Sequence, residues 1–126
     1  MLSLRKEAYR RAAVVYALEL DQPADARRAL QRLLRLGVEP AEQVQVREEL
    51  AELFLKDRDD RAAAHQYKLA YDVAPERPEL LVRSAEVRAA RGEFNRARVL
   101  WNRLLKEAPD WSARANLGLG ELALAQ

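Results

Sequence analysis

The chain has 126 residues, the length of one ordinary domain, and 79 of them are Ala, Leu, Arg, Glu or Lys. Nine valines, no isoleucine and no threonine leave little β-branched material for a sheet, so the composition argues against β architectures and for an all-α chain. With no cysteine and a net charge of only +2, a disulfide framework, a thiolate nucleophile and a sulfur-based zinc site are excluded, and nucleic acid is not called for by charge alone.

Apolar residues recurring at three and four, punctuated by turn residues, predict seven helices. The first spans about 4–20. Its charges (Arg5, Lys6, Glu7, Arg10, Arg11 and Glu19) leave no uncharged run for a signal-peptide core, and no later stretch reaches the ~18 to 20 apolar residues that a bilayer span needs. A cytoplasmic location with no membrane contact is the expectation. A turn at Asp21-Gln22-Pro23 leads into a second helix over 24–36. Gly37 suits the position just past its end, and Pro40 the start of a third helix over 40–56. The turn Asp57-Arg58-Asp59 precedes a fourth helix over 60–73, and Pro75 a fifth over 78–91. Arg91-Gly92-Glu93 opens a sixth over 94–107. After Pro109 a seventh covers 112–125, with Asp110 or Ser112 placed to cap it.

These elements repeat. Shifted by 34 residues, Ala97 falls on Ala63, Trp101 on Tyr67, Pro109 on Pro75 and Ala85 on Ala51. A third copy lies at Ala26–Arg35, offset by 71 from Ala97–Lys106, and the three extra residues fall within Leu36–Pro40. Alternation of small residues (Ala51, Ala63, Ala85, Ala97) with bulky ones (Phe54, Tyr67, Phe94, Trp101) is what closely crossing helices require: a small side chain at the contact and a large one to fill the space beside it. Ser84 sits at such a packing position and reads as a small core residue.

A 34-residue helix–turn–helix unit carrying W-x2-L-G-x2-Y, then A-x3-F, then P, resembles the tetratricopeptide repeat. Leu50-Ala51-x2-Phe54, Ala63-x3-Tyr67 and Pro75 fill the pattern in the middle copy; Ala85, Gly92, Phe94, Ala97-x3-Trp101 and Pro109 fill it in the third. The first copy, Tyr9-x2-Ala12-Ala13-x2-Tyr16 with Ala26-x3-Leu30, fits if the turn at Asp21-Gln22-Pro23 carries one extra residue. Arg88, Arg47 and Arg58 depart from the usual aromatic, Trp and Gly. The resemblance implies a right-handed α-solenoid of three tetratricopeptide-like repeats, at about 5–38, 40–75 and 78–109, with a C-terminal capping helix at about 111–125, all within a single domain spanning 1–126. The alternatives for the last helix are a truncated longer array or an open end that binds a second copy.

No catalytic constellation accompanies these helices. His65 is the only histidine and reads as a solvated surface residue; three serines have no histidine in sequence reach; four glycines form no phosphate-cradling loop. The chain therefore reads as non-catalytic, without cofactor or metal. What the resemblance implies instead is a scaffold whose concave groove, lined by the first helix of each pair, takes a protein or peptide segment. Periodicity places Arg10, Arg11 and Val14 on that face in the first repeat, Gln45, Glu48, Glu52, Leu55 and Lys56 in the second, and Glu79, Val82, Arg83, Glu86 and Ala90 in the third. Val14 and Glu49 stand where a carboxylate clamp would need asparagines. Glu48, Glu52 and Glu86 make the middle acidic, so the expected ligand is basic or mixed in charge with an apolar anchor near Val14 and Leu18.

Two other readings stay open. Ala12–Leu18 is apolar on nearly every side, which suits self-association into a homo-oligomer. Arg28, Arg32 and Arg35 form a basic stripe that would suit nucleic acid, although no aromatics interleave them.

Overall fold

The computed structural model describes residues 2–126. Among them are seven α-helices and no strand: α1 Leu2–Val14, α2 Pro23–Leu36, α3 Pro40–Lys56, α4 Asp60–Val73, α5 Pro78–Ala90, α6 Phe94–Glu107 and α7 Ser112–Ala125. Each helix packs chiefly on its neighbours in the chain, and α7 also reaches α5. Prolines stand in the first turns of α2, α3 and α5, where a missing N–H costs nothing. Gly37, at φ +85°, ends α2 and donates its N–H to the Leu34 carbonyl. The Asp59 side chain caps α4 by accepting from the Ala62 N–H at 3.2 Å.

Two helix ends are built alike, 34 residues apart. Arg58 and Gly92 both have positive φ, +60° and +81°, and the following N–H reaches back to a carbonyl five residues earlier (Asp59 to Phe54, 2.8 Å; Glu93 to Arg88, 2.9 Å). In the first hairpin the matching bond is longer by one residue, Gln22 N–H to the Tyr16 carbonyl. The reason is a π-helical segment, Val15–Glu19, that continues α1. A π turn accommodates one residue more than an α turn. The extra residue expected in the turn at Asp21-Gln22-Pro23 thus sits just before it, inside the helix.

Arg58 occupies a conformation that favours glycine and costs a side-chain-bearing residue about 1–2 kcal/mol. Arg58→Gly should therefore stabilise the chain by about 1 kcal/mol, partly offset by the greater freedom of glycine in the unfolded state. A urea melt showing no gain would mean that Arg58 makes a compensating contact.

The core forms two clusters. One gathers Ala13, Ala26, Ala29, Leu30, Leu33, Val46, Leu50 and Leu53 from α1–α3; the other runs from Val44 to Leu122 through α3–α7, and Phe54 packs against both. Ala26, Ala51, Ala63, Ala85 and Ala97 are wholly buried, with Tyr67 and Trp101 beside them. Ser84 is buried and donates its hydroxyl to the Ala64 carbonyl at 2.7 Å, tying α5 to α4.

Arginines cover three of the aromatic fillers and Tyr71: Arg27 lies over Phe54, Arg83 over Tyr67, Arg103 over Tyr71 and Arg114 over Trp101, at 4.7–5.5 Å from the ring centroids. Tyr71 is buried and donates its hydroxyl to Glu107, and together these push its pKa up to about 12. Where the repeat pattern has an aromatic, Arg88 instead pairs with Glu93 at 2.9 Å, both side chains nearly out of water (11% and 12% exposed).

α7 differs from expectation at its start. A single 3₁₀ turn, Pro109–Trp111, runs straight into it, and neither Asp110 nor Ser112 supplies a side-chain cap. The helix is held by Ala115, Gly118 and Leu122, which are buried, while Leu117 and Leu124 stay exposed.

Candidate functional site

The odd-numbered helices carry a row of clefts. The most apolar holds about 470 Å³, with Ala13, Val14, Ala17, Leu18, Leu30 and Leu53 meeting Glu49, Glu52 and Lys56. A smaller cleft of about 180 Å³ shares Val14, Leu30 and Glu49 with it and adds Arg10, Glu42 and Gln45. Farther along, Leu55, Tyr67, Arg83, Glu86 and Ala90 line a space of about 320 Å³. Glu86 and Ala90 continue into one of about 480 Å³ that reaches Trp101, Arg114, Gly118 and Glu121. The consecutive residues Leu55 and Lys56 of α3 line different clefts, Lys56 the one of about 470 Å³ and Leu55 the one of about 320 Å³.

The π segment matters for the first of these. Ala13 turns into the core, whereas Val14 and Leu18 are left 53% and 78% exposed at the cleft. Large apolar side chains that water can reach, grouped in a concavity, favour an apolar occupant.

Most of the surrounding charge is already matched. Arg10 holds Glu42 through two bonds of 2.5 Å, and Arg77 holds Glu48 at 2.5 Å and Glu79 at 2.8 Å. Glu42 is accordingly held below the ordinary carboxylate range, chiefly by the hydrogen bond from Arg10. Glu49 and Glu52 take part in none of the ion pairs among the described residues, although both line the most apolar cleft. Burial raises the Glu49 pKa, helped by the negative charges of Glu52, Glu42 and Glu48 and opposed by a hydrogen bond from Gln45. An unmatched carboxylate over an apolar floor is a place where a cation is worth more than in water.

The fold favours Glu49 in its protonated form. Its contribution to stability is therefore complete below the unfolded carboxylate pKa of about 4.3 and is lost as pH rises through the higher folded value. Glu49→Gln should raise the melting temperature at pH 7 and leave it unchanged at pH 4. Equal effects at both pH values would contradict this placement of Glu49.

Of the residues that periodicity assigned to the groove, Arg10, Val14, Gln45, Glu52, Leu55, Lys56, Arg83, Glu86 and Ala90 line these clefts. Arg11 is exposed beside Glu7 (3.5 Å) and lines none of them. Glu48 and Glu79 are engaged by Arg77. Val82 does not belong with the groove residues: it is only 8% exposed and packs in the core, because α5 lies between α4 and α6 and buries Leu80, Leu81 and Val82 in succession. Periodicity also left residues out. Tyr67 is more than a filler, for its hydroxyl accepts from Arg83 at 3.0 Å at the cleft edge. Arg114 and Glu121 of α7 were left out by the capping reading, although their spacing with Gly118 marks one helix face.

The basic stripe on α2 is partly matched, Arg28 pairing with Asp25, while Arg32 and Arg35 are exposed. Among the described residues no group of three or more His, Asp or Glu could hold a metal ion, and no helix is long and apolar enough to cross a membrane. No family model and no curated protein matches the chain.

Proposed function

We propose that the chain is a non-catalytic interaction scaffold, a tetratricopeptide-like solenoid whose first-of-pair helices form a groove for a protein segment. The reading is supported by the 34-residue recurrence of the Arg58 and Gly92 turns and by helices packed in chain order. The observation that carries it is the most apolar cleft, where Val14 and Leu18 lie open beside Glu49 and Glu52, which take part in none of the ion pairs among the described residues. The segment that fits presents an aliphatic or aromatic anchor with Lys or Arg one helical turn or one strand step away. Peptide selection from a random display library provides the test. The wild type should enrich such sequences, and a Glu49→Lys/Glu52→Lys variant should not. Enrichment that is the same for both proteins, or none for the wild type, would overturn the reading.

Self-association is a second reading, favoured by a separate observation. Among the described residues, six of the ten large hydrophobics left exposed lie within the first twenty positions: Leu2, Leu4, Val14, Val15, Leu18 and Leu20. Leu4 is 71% exposed and lines no cleft described above, so Leu4→Lys separates the two readings. It should convert an oligomer to monomer by light scattering while leaving peptide capture intact; a wild type that is monomeric at high concentration removes this reading.

A further inference from the structure

A fifth cleft, of about 280 Å³, lies where α4, α5 and α6 meet and is unlike the other four. Each of those is lined by at least one glutamate; this one is lined by His65, Lys68, Arg88 and Arg96 and by no carboxylate. The acids nearby do not balance it. Glu93 is shared among Arg61, Arg88, Arg91 and Arg96, at 2.9–3.8 Å. Asp72 is shared between Lys68 at 3.3 Å and Arg103 at 2.7 Å. One carboxylate divided among four guanidiniums leaves several of their N–H donors without an anionic partner, and guanidinium forks match the oxygens of a tetrahedral oxyanion. Next to the cations stand Val99, exposed, and Leu100, which give the cleft an apolar wall. Bare inorganic phosphate would leave that wall wet.

We propose that this cleft binds an organic phosphate monoester, its phosphoryl group among His65, Lys68, Arg88 and Arg96 and its carbon portion against Val99 and Leu100. The site lies on other residues than the scaffold groove and does not depend on it. Burial and the charges of Lys68, Arg88 and Arg47 hold His65 below the ordinary histidine range, opposed by Asp72. A dianion in the cleft offsets those cations and raises the His65 pKa; because the phosphoryl group itself takes up a proton at about pH 6, the coupling is read from the His65 midpoint and not from the affinity alone.

The single histidine makes the test direct, because its Hε1 proton gives one resolved resonance. Phenyl phosphate is titrated into the full chain and followed by that signal from pH 5 to 8, with inorganic phosphate and sodium chloride at matched ionic strength as separate arms. The expected result is saturable binding of phenyl phosphate, tighter than inorganic phosphate, with an upward move of the His65 titration midpoint that chloride does not produce. Arg96 is exposed, so Arg96→Glu is expected to fold normally, checked by its unchanged circular dichroism, and to weaken binding about tenfold or more. Phenyl phosphate and chloride moving the midpoint equally, or Arg96→Glu binding as well as wild type, would overturn the proposal. Inorganic phosphate binding as tightly as the ester would remove the apolar wall from it.

Discussion

Trp101→Ala should cost about 3–5 kcal/mol, the range for deleting a buried aromatic ring. The indole is wholly inside, with Arg114 stacked over it at 4.7 Å and α7 lying against it through Gly118. Removing it takes away the surface on which α7 rests, and the Arg114 guanidinium loses its aromatic face, keeping only the 3.1 Å bond to Glu86. The loss should also be local. The core is divided into two clusters joined through Phe54, and helices touch chiefly their chain neighbours. In such an arrangement stability is close to a sum of neighbour terms. Hydrogen exchange of the variant should show α6 and α7 amides losing protection first, with α2 and α3 retaining theirs. Protection falling evenly along the chain would mean that the two clusters act as one cooperative core.

The same division explains what the sequence could and could not disclose. Six of the seven helices lie within a residue or so of the spans read from turn residues, because Pro23, Gly37, Pro40 and Gly92 act locally through φ and the missing N–H. The π segment was not legible. Val14–Leu18 is uniformly apolar and contains no breaker, so nothing in the residue types distinguishes a widened helical turn from a longer loop; only the Gln22 to Tyr16 bond locates the extra residue. Val82 was misplaced for a related reason. A periodic face is informative when a helix is covered on one side, and α5 is covered on two. The charge pairing was illegible as well. Arg77, in the loop before α5, engages both Glu48 and Glu79, and only the folded arrangement shows that these two are paired while Glu49 and Glu52 stay outside the ion pairs of the described residues.

The excess of Arg over Lys, 18 to 4, gains a physical reason once the contacts are known. Four packed aromatic rings are each stacked by a guanidinium, and Arg10 and Arg77 each grip Glu oxygens with two nitrogens. A planar, forked cation does both at once, which an ammonium cannot. Composition that reads as a solvated surface is therefore partly a packing device between successive helices.

The two glycines of α7 should respond to the same substitution with opposite signs. In an open helical position, Gly→Ala gains about 1 kcal/mol of helix propensity. Nothing lies within 4 Å of a Cβ built at Gly120, so Gly120→Ala should stabilise the chain by that amount. At Gly118 the new Cβ would stand 2.2, 2.5 and 2.6 Å from three atoms of the Trp101 ring. An indole wedged in the core has no flexible end to move aside, so α7 must shift, and overpacking of this kind costs about 1–3 kcal/mol. Gly118→Ala should thus be destabilising despite its better helix propensity. The cause can be isolated, because the clash exists only while the ring is present. In a Trp101→Ala background, Gly118→Ala should change sign and become neutral or stabilising, giving a coupling energy of about 1–3 kcal/mol in a double-mutant cycle from urea melts. If instead Gly118→Ala destabilises equally with and without the indole, the helix is not seated on Trp101 and the close approach of α6 and α7 has some other basis.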